Sequence, residues 1–145
     1  MSDPIALHVF SALSAEVSSL RLRRDCTRRF AGVWLDEAYS SDLVDLLEVA
    51  TGQKHERSGL LQEFARAKNG LTTIYACSDR FAHALAALTP ENLASVAQAW
   101  RTATKNGDLA HSPDGEIEEF LSDLLAVSAQ NTGFGHPVWV ATYVY

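Results

Sequence analysis

Cys77 is the residue of this chain whose position best suits nucleophilic chemistry. It ends a predicted strand directly before a predicted helix, and Asp79 and His83 follow it closely. A helix N-terminus lowers the pKa of a nearby thiol, and a histidine can serve as base for a cysteine nucleophile. The pattern therefore indicates a small hydrolase or thiol enzyme with Cys77 and His83 as catalytic pair. We favour the competing interpretation, in which period-two alternation places Cys77 beside Leu71 and Tyr75 as a small core residue.

The segment 21–29 is a second group of residues that could bind a ligand. It holds five of the nine arginines of the chain and a single acid. Guanidinium groups bind carboxylates and phosphates in pairs, so Arg21, Arg24 and Arg28 are candidates for an anion or partner site. We favour an edge strand that is kept soluble by its charge and pairs with acids elsewhere in the fold. The alternation of leucine and arginine at 20–23 fits an edge strand or a helix end equally well.

Signatures of metal sites, phosphate-binding loops and elbow-type serine hydrolases are missing from the sequence. No pair among the five histidines has the His-Glu-x-x-His spacing, and neither Gly-x-Ser-x-Gly nor a glycine-rich phosphate loop occurs. The segment 108–119 has the length of a calcium loop, but Ala110 and Pro113 stand where a ligand and a glycine are required. The sequence therefore predicts no metal and no cofactor.

The charge balance favours a basic partner. The 145 residues carry 12 Lys and Arg against 18 Asp and Glu, a net charge of −6, and the segment 21–29 contributes +4 to it. The rest of the chain therefore carries −10, with acids gathered at 36–37, 42–48 and 114–119. Such a surface repels phosphate backbones and attracts basic proteins. We expect a basic protein partner and no nucleic acid, and we interpret the acids of the last helix as a solvated face.

Length and hydropathy indicate a single globular domain over residues 1–145. The chain is long enough to bury a core, and its apolar runs fall short of the ~20 residues that span a bilayer. The start, Met1 to Pro4, lacks the positive charge of a secretory signal, and two cysteines are too few for a disulfide framework. We therefore expect a cytoplasmic protein that does not enter a membrane.

The hydrophobic pattern predicts an α+β domain with five to six helices on a sheet of three to four strands. Helices are predicted at 14–17, 41–51, 60–67, 79–88, 89–104 and 112–132, and strands at 5–10, 71–77 and 137–145. Residues 30–35 are predicted to form a strand or a buried turn. Asn69-Gly70 is interpreted as the end of the third helix and Thr89 as the N-cap of the fifth. The last strand is aromatic, so we expect it at the centre of the sheet or paired across a homodimer.

Residues in the second half of the chain, and more faintly in its middle section, give it a resemblance to small bacterial proteins of the YfbM-like group, whose function is unknown. They are Thr72-Thr73-Ile74-Tyr75, Leu85-Ala86-Ala87-Leu88, Thr89-Pro90-Glu91-Asn92-Leu93, Ala97, Trp100 and Val138-Trp139-Val140, with Leu35-Asp36-Glu37-Ala38, Leu46-Leu47 and Thr51-Gly52 in the middle section. The resemblance implies an α+β fold and a bacterial cytoplasmic setting. It supplies no catalytic residues.

Two hypotheses follow for the function. The first is a non-enzymatic protein-interaction module, of the kind formed by small acidic immunity proteins that dock onto basic toxins. The alternative is the hydrolase or thiol enzyme centred on Cys77 and His83. An anion-binding module built on the arginines of the segment 21–29 is a third option.

Overall fold

The computed structural model describes residues 5–23, 25–113 and 115–144. Within them the chain forms five strands and seven helices. The strands are β1 (Ile5–Ser11), β2 (Gly32–Asp36), β3 (Leu61–Arg66), β4 (Thr72–Cys77) and β5 (Val138–Val144). The helices are α1 (Ser14–Ser18), α2 (Ser40–Thr51), α3 (Arg57–Leu60), α4 (Asp79–Leu85), α5 (Leu93–Ala103), α6 (Gly107–Ala110) and α7 (Glu116–Phe134). Arg24, Asp114, Tyr145 and residues 1–4 lie outside the described residues.

The strands form one antiparallel sheet in the order β2-β1-β5-β4-β3. β5 therefore occupies the centre, one of the two arrangements predicted from its aromatic sequence, and it pairs with β1 over seven residues from Ile5↔Val144 to Ser11↔Val138. Because both of its neighbours are hydrogen-bonded, both of its faces must be covered. The confirmed fold class is α+β, with one strand and one helix more than the upper predicted counts.

One face of the sheet packs against the longer helices. Leu7 and Val9 of β1 and Val138 and Val140 of β5 meet the apolar sides of α2, α4, α5 and α7 in the larger core. Trp100 on α5 is fully buried there, and its indole nitrogen donates to the Asp42 carbonyl over 2.9 Å. Helical periodicity predicts these faces well, since each helix presents a single apolar stripe.

The opposite face of the sheet is covered by the segment between β1 and β2. Phe10, Trp139 and Tyr143 form a second core with the partly buried Leu20, Leu22, Cys26 and Phe30 of that segment. The indole nitrogen of Trp139 donates to the Ala12 carbonyl at 2.9 Å, which fixes where the segment begins. Its apolar residues are spaced irregularly, so described residues 19–31 form turns and coil. Both conformations predicted there, an edge strand and a helix end, are wrong.

The helix predicted at 60–67 is also wrong, because residues 61–66 form the edge strand β3. Asn69-Gly70 makes the turn of a hairpin to β4 instead of ending a helix: Gly70 has φ +73° and the Leu71 amide donates to the Asn69 side chain at 3.0 Å. The apolar spacing is ambiguous because a bulge at Phe64 shifts the strand register. The Phe64 ring then packs edge-on against the Trp139 ring, with the two ring centroids 4.9 Å apart.

The fifth helix begins later than predicted, at Leu93. Thr89 and Asn92 bond reciprocally instead: the Thr89 amide donates to the Asn92 side chain at 2.9 Å, and the Asn92 amide donates to the Thr89 hydroxyl at 3.3 Å. This closes a separate turn before the helix. None of the helices among the described residues combines the length and apolar character that a membrane crossing requires.

Gly32 at the start of β2 is required by close backbone approach. A Cβ at this position would overlap the Val9 carbonyl oxygen and lie 2.7 Å from the Phe10 Cβ. We expect Gly32→Ala to lower the free energy of unfolding by about 1–3 kcal/mol or more, as overpacking does. Gly107→Ala is the matched control, because a Cβ there meets nothing within 4 Å. Urea unfolding of both variants checks this, and equal stabilities would contradict it.

Candidate functional site

A continuous trough runs along the outer side of β2, between that strand and α7. It consists of three adjoining clefts of about 510, 190 and 250 Å³. The first and second share Leu35, Asp36 and Glu116, and the second and third share Asp123. Six exposed acids line it, and no lysine or arginine is among its described lining residues. The acids are Asp36, Glu37, Asp108, Glu116, Glu119 and Asp123.

The acidic wall of the trough is formed by α7. The helix buries Ile117, Leu121 and Leu124 against the core, so Glu116, Glu119 and Asp123 are left on its exposed side. Acids in the first turn also interact favourably with the positive end of the helix dipole, and the Gly115 amide donates to Glu118 at 3.0 Å. The amphipathic pattern of α7 therefore places these acids on the side of the helix that faces solvent.

Asn106 and Arg101 hold the wide end of the trough. The side-chain nitrogen of Asn106 donates to the Glu37 backbone carbonyl and to the buried Asp42 carboxylate, each at 2.9 Å. The side-chain oxygen of Asn106 accepts from the Asp108 backbone amide at 3.1 Å. Arg101 donates to the carbonyls of Ala110, Ser112 and Pro113 at 2.7–3.3 Å. Its guanidinium is thus directed at backbone oxygens rather than at the acids of the trough.

The negative charge of the trough is not neutralised within the described part of the chain. The two ion pairs found there are Arg28–Asp25 at 3.5 Å and Arg66–Glu63 at 2.7 Å, and neither involves a trough acid. The sequence shows the acids at 36–37 and those of the last helix as separate groups. Only the packing of α7 on β2 brings them together, so the interpretation of the helix acids as an isolated solvated face misses the trough.

Cys77 and His83 do not share a cleft. Cys77 is half-buried at the end of β4 and packs against the helix-side core, and burial raises the pKa of its thiol well above the ordinary value. A raised pKa is the opposite of what a cysteine nucleophile needs. His83 is exposed on α4, and no described contact joins it to the Cys77 sulfur.

His83 instead lines a separate open cleft of about 380 Å³ together with Asp79, Arg80 and His55. The Thr51 hydroxyl donates to the Leu47 carbonyl at 2.7 Å, so the His55 Nε2, which is 2.9 Å from that hydroxyl oxygen, carries the proton. The His55 Nδ1 atom is buried and has no described hydrogen-bond partner. Among the described residues, no three His, Cys, Asp or Glu side chains lie where they could hold a metal ion.

The arginine candidates are not gathered around one ligand position. Arg21 lines a cleft of about 240 Å³ with Arg23, Arg29 and Cys26. Arg28 lies elsewhere, with its guanidinium 4.7 Å above the Trp34 ring. Arg24 lies outside the described residues. The proposed pairing of this segment with acids of the helices is not seen in the described residues, since the pair Arg28–Asp25 is internal to the segment.

A buried chain of polar side chains that the sequence pattern does not indicate lies beneath the segment 21–29. His8 on β1 lies 2.7 Å from the Thr27 hydroxyl, which in turn bonds the Tyr143 hydroxyl, and the Thr27 amide donates to the same Tyr143 oxygen at 3.0 Å. The His8 ring stacks on Trp34 at 4.6 Å. Burial, with a smaller effect of the Arg28 charge, lowers the pKa of His8 from 6.5 to about 4. Burial also raises the pKa of Tyr143.

Comparison of the chain with family models, with curated proteins and with solved structures finds no match. The resemblance to YfbM-like proteins therefore stays a prediction, and the function has to be inferred from the chain's own residues.

Stability should depend on pH through His8. The pKa of His8 is lower in the folded than in the unfolded protein, so between about pH 6.5 and pH 4 the unfolded state binds more protons. The free energy of unfolding therefore decreases as the pH is lowered from 6.5 to about 4. We expect a loss of about 3 kcal/mol across this interval in urea unfolding. The loss should vanish in His8→Gln and persist in the exposed-residue control His83→Gln. Equal pH dependence in His8→Gln and the unmodified protein would contradict this assignment.

The two cysteines should differ in reactivity. Because burial raises the pKa of the Cys77 thiol, a Cys26→Ser protein, which keeps Cys77, should react with Ellman's reagent at pH 8 at least about tenfold more slowly than a Cys77→Ser protein. Cys26 is also half-buried, but it lines a cleft that is open to solvent and serves as the reference. Both variants should react alike in denaturant. Fast reaction of native Cys77 would contradict the packing of its thiol against the core and revive the thiol-enzyme hypothesis.

Proposed function

We propose that this chain is a non-enzymatic protein-interaction module that binds a basic protein through the acidic trough. The observation that carries the proposal is a trough lined by six exposed acids and by no described lysine or arginine. A concave surface of one charge raises the rate at which an oppositely charged protein docks. The same field repels phosphate backbones, so it supports a protein partner over a nucleic acid.

The setting that we propose is a bacterial cytoplasm, in which the module neutralises a basic toxin. Immunity proteins are often small, acidic and single-domain, and acidic surfaces steer fast docking onto basic toxins. The hydrolase or thiol-enzyme alternative gains no support from the geometry, because Cys77 is packed against the core and does not line the cleft of His83.

Reversing the charge of the trough should abolish partner capture. Glu119→Lys with Asp123→Lys places two cations on the exposed side of α7, and we expect at least about tenfold weaker capture of basic proteins from a bacterial lysate at low salt. Glu56→Lys with Glu91→Lys is the matched control, since it changes the net charge equally at exposed positions outside the trough. Quantitative mass spectrometry of the captured proteins checks this.

The proposal would be overturned if both double variants captured the same basic proteins to the same extent. The proposal would also be contradicted if the trough variant still captured the basic proteins at about 500 mM salt, since salt at that concentration screens interactions between exposed charges. A captured protein that arrests growth, and whose effect is relieved by the unmodified chain but not by the trough variant, would support the immunity role.

A further inference from the structure

The trough lies along a free edge of the sheet. β2 is the last strand on its side and pairs with β1 alone. The Ser11 amide donates to the Ala31 carbonyl and the Glu37 amide to the Ile5 carbonyl, so the odd-numbered residues of β2 direct their backbone groups at β1. In an antiparallel pair this alternation turns the amides and carbonyls of Gly32, Trp34 and Asp36 outward, along the trough.

We propose that the trough binds an extended basic segment of the partner as a sixth strand, hydrogen-bonded to the outward groups of β2. This inference rests on the proposed function and adds the mode of binding to it. Strand addition to a sheet edge draws its affinity from main-chain hydrogen bonds and its specificity from alternate side chains. The three clefts touch every residue of β2, so the space beside the edge is open along its whole length.

The spacing of the acids suits a strand. The first cleft joins Glu116 to Leu35 and Asp36, and the third joins Asp123 to Gly32, so α7 runs antiparallel to β2. Along the helix axis Glu116, Glu119 and Asp123 are about 4.5 and 6 Å apart. Alternate residues of a strand are about 6.7 Å apart. The mean spacing of the acids, about 5 Å, is within about 2 Å of this repeat, a difference that long lysine and arginine side chains span, so every second side chain of an added strand can reach an acid of α7.

The side chains on the other face of the added strand meet a different surface. Trp34 projects toward the second core, and the Arg28 guanidinium covers its ring. A cation opposite Trp34 would face Arg28, so the position opposite Trp34 should be neutral. The structure thus favours a segment with lysine or arginine at the positions that face α7 and an uncharged residue opposite Trp34.

A second copy of this chain is a poor occupant of the edge. Pairing β2 with β2 would bring two acidic walls together, and like charges at close range oppose association. The opposite edge, β3, is blunted by the bulge at Phe64 and carries both signs of charge in the pair Arg66–Glu63. The two edges therefore differ, and the regular one carries the acidic trough.

Alternately N-methylated peptides test strand addition. The probe is a capped heptapeptide of alternating lysine and threonine, titrated into the isotope-labelled protein at low salt. Two modified forms carry N-methyl groups on the lysine or on the threonine amides, which leaves the charge unchanged. Only one set of amides can face β2 in a given strand direction. We expect one methylated form to bind at least about tenfold more weakly than the other, and the weakened form reports the strand direction.

Hydrogen exchange supplies the local measurement. Binding of the unmodified peptide should protect the amides of Gly32, Trp34 and Asp36, while the outer amides of β3 stay unchanged. The inference is overturned if the unmodified peptide does not bind, if both methylated forms bind alike, or if protection is absent from β2. The proposed function fails separately, when Glu119→Lys with Asp123→Lys captures the same basic proteins as its control.

Discussion

The central position of β5 is the constraint on which the rest of the structure depends. A strand that is hydrogen-bonded on both sides and apolar on both faces needs two covering layers. The helices supply one layer, and the irregular segment between β1 and β2 supplies the other. That segment has to return to the sheet as β2, and its return places β2 at an edge beside α7.

Covering the second face also explains the arginines. Their neighbours Leu20, Leu22, Cys26 and Phe30 pack onto the sheet, while the charged groups stay at the surface or lie over aromatic rings, as Arg28 does over Trp34. Long cationic side chains can cover apolar surface in this way without being desolvated at their ends. The positive segment and the acidic trough are thus separated by the sheet edge, and the fold keeps the two charges from cancelling.

The buried Asp42 links the helix layer to the trough. Its carboxylate accepts from the Tyr39 amide, the Thr104 hydroxyl and the Asn106 side chain at 2.8–3.0 Å, and Asn106 in turn holds Glu37 and Asp108 in place. A buried carboxylate is tolerated only when such partners satisfy it. The same contacts that stabilise the start of α2 therefore shape the wide end of the trough.

The sequence by itself determined the fold class, the two longest helices and the need to cover both faces of β5, because hydrophobic periodicity reports which faces must be buried. It did not determine residues 60–67, where apolar spacing suits a helix or a bulged strand and only pairing with β4 decides. Nor could it join the acids at 36–37 to those on α7, since 80 or so residues of chain separate them. Tertiary packing made that junction, and it also buried His8, whose single polar side chain in an apolar run gives no local sign of its partners Thr27 and Tyr143.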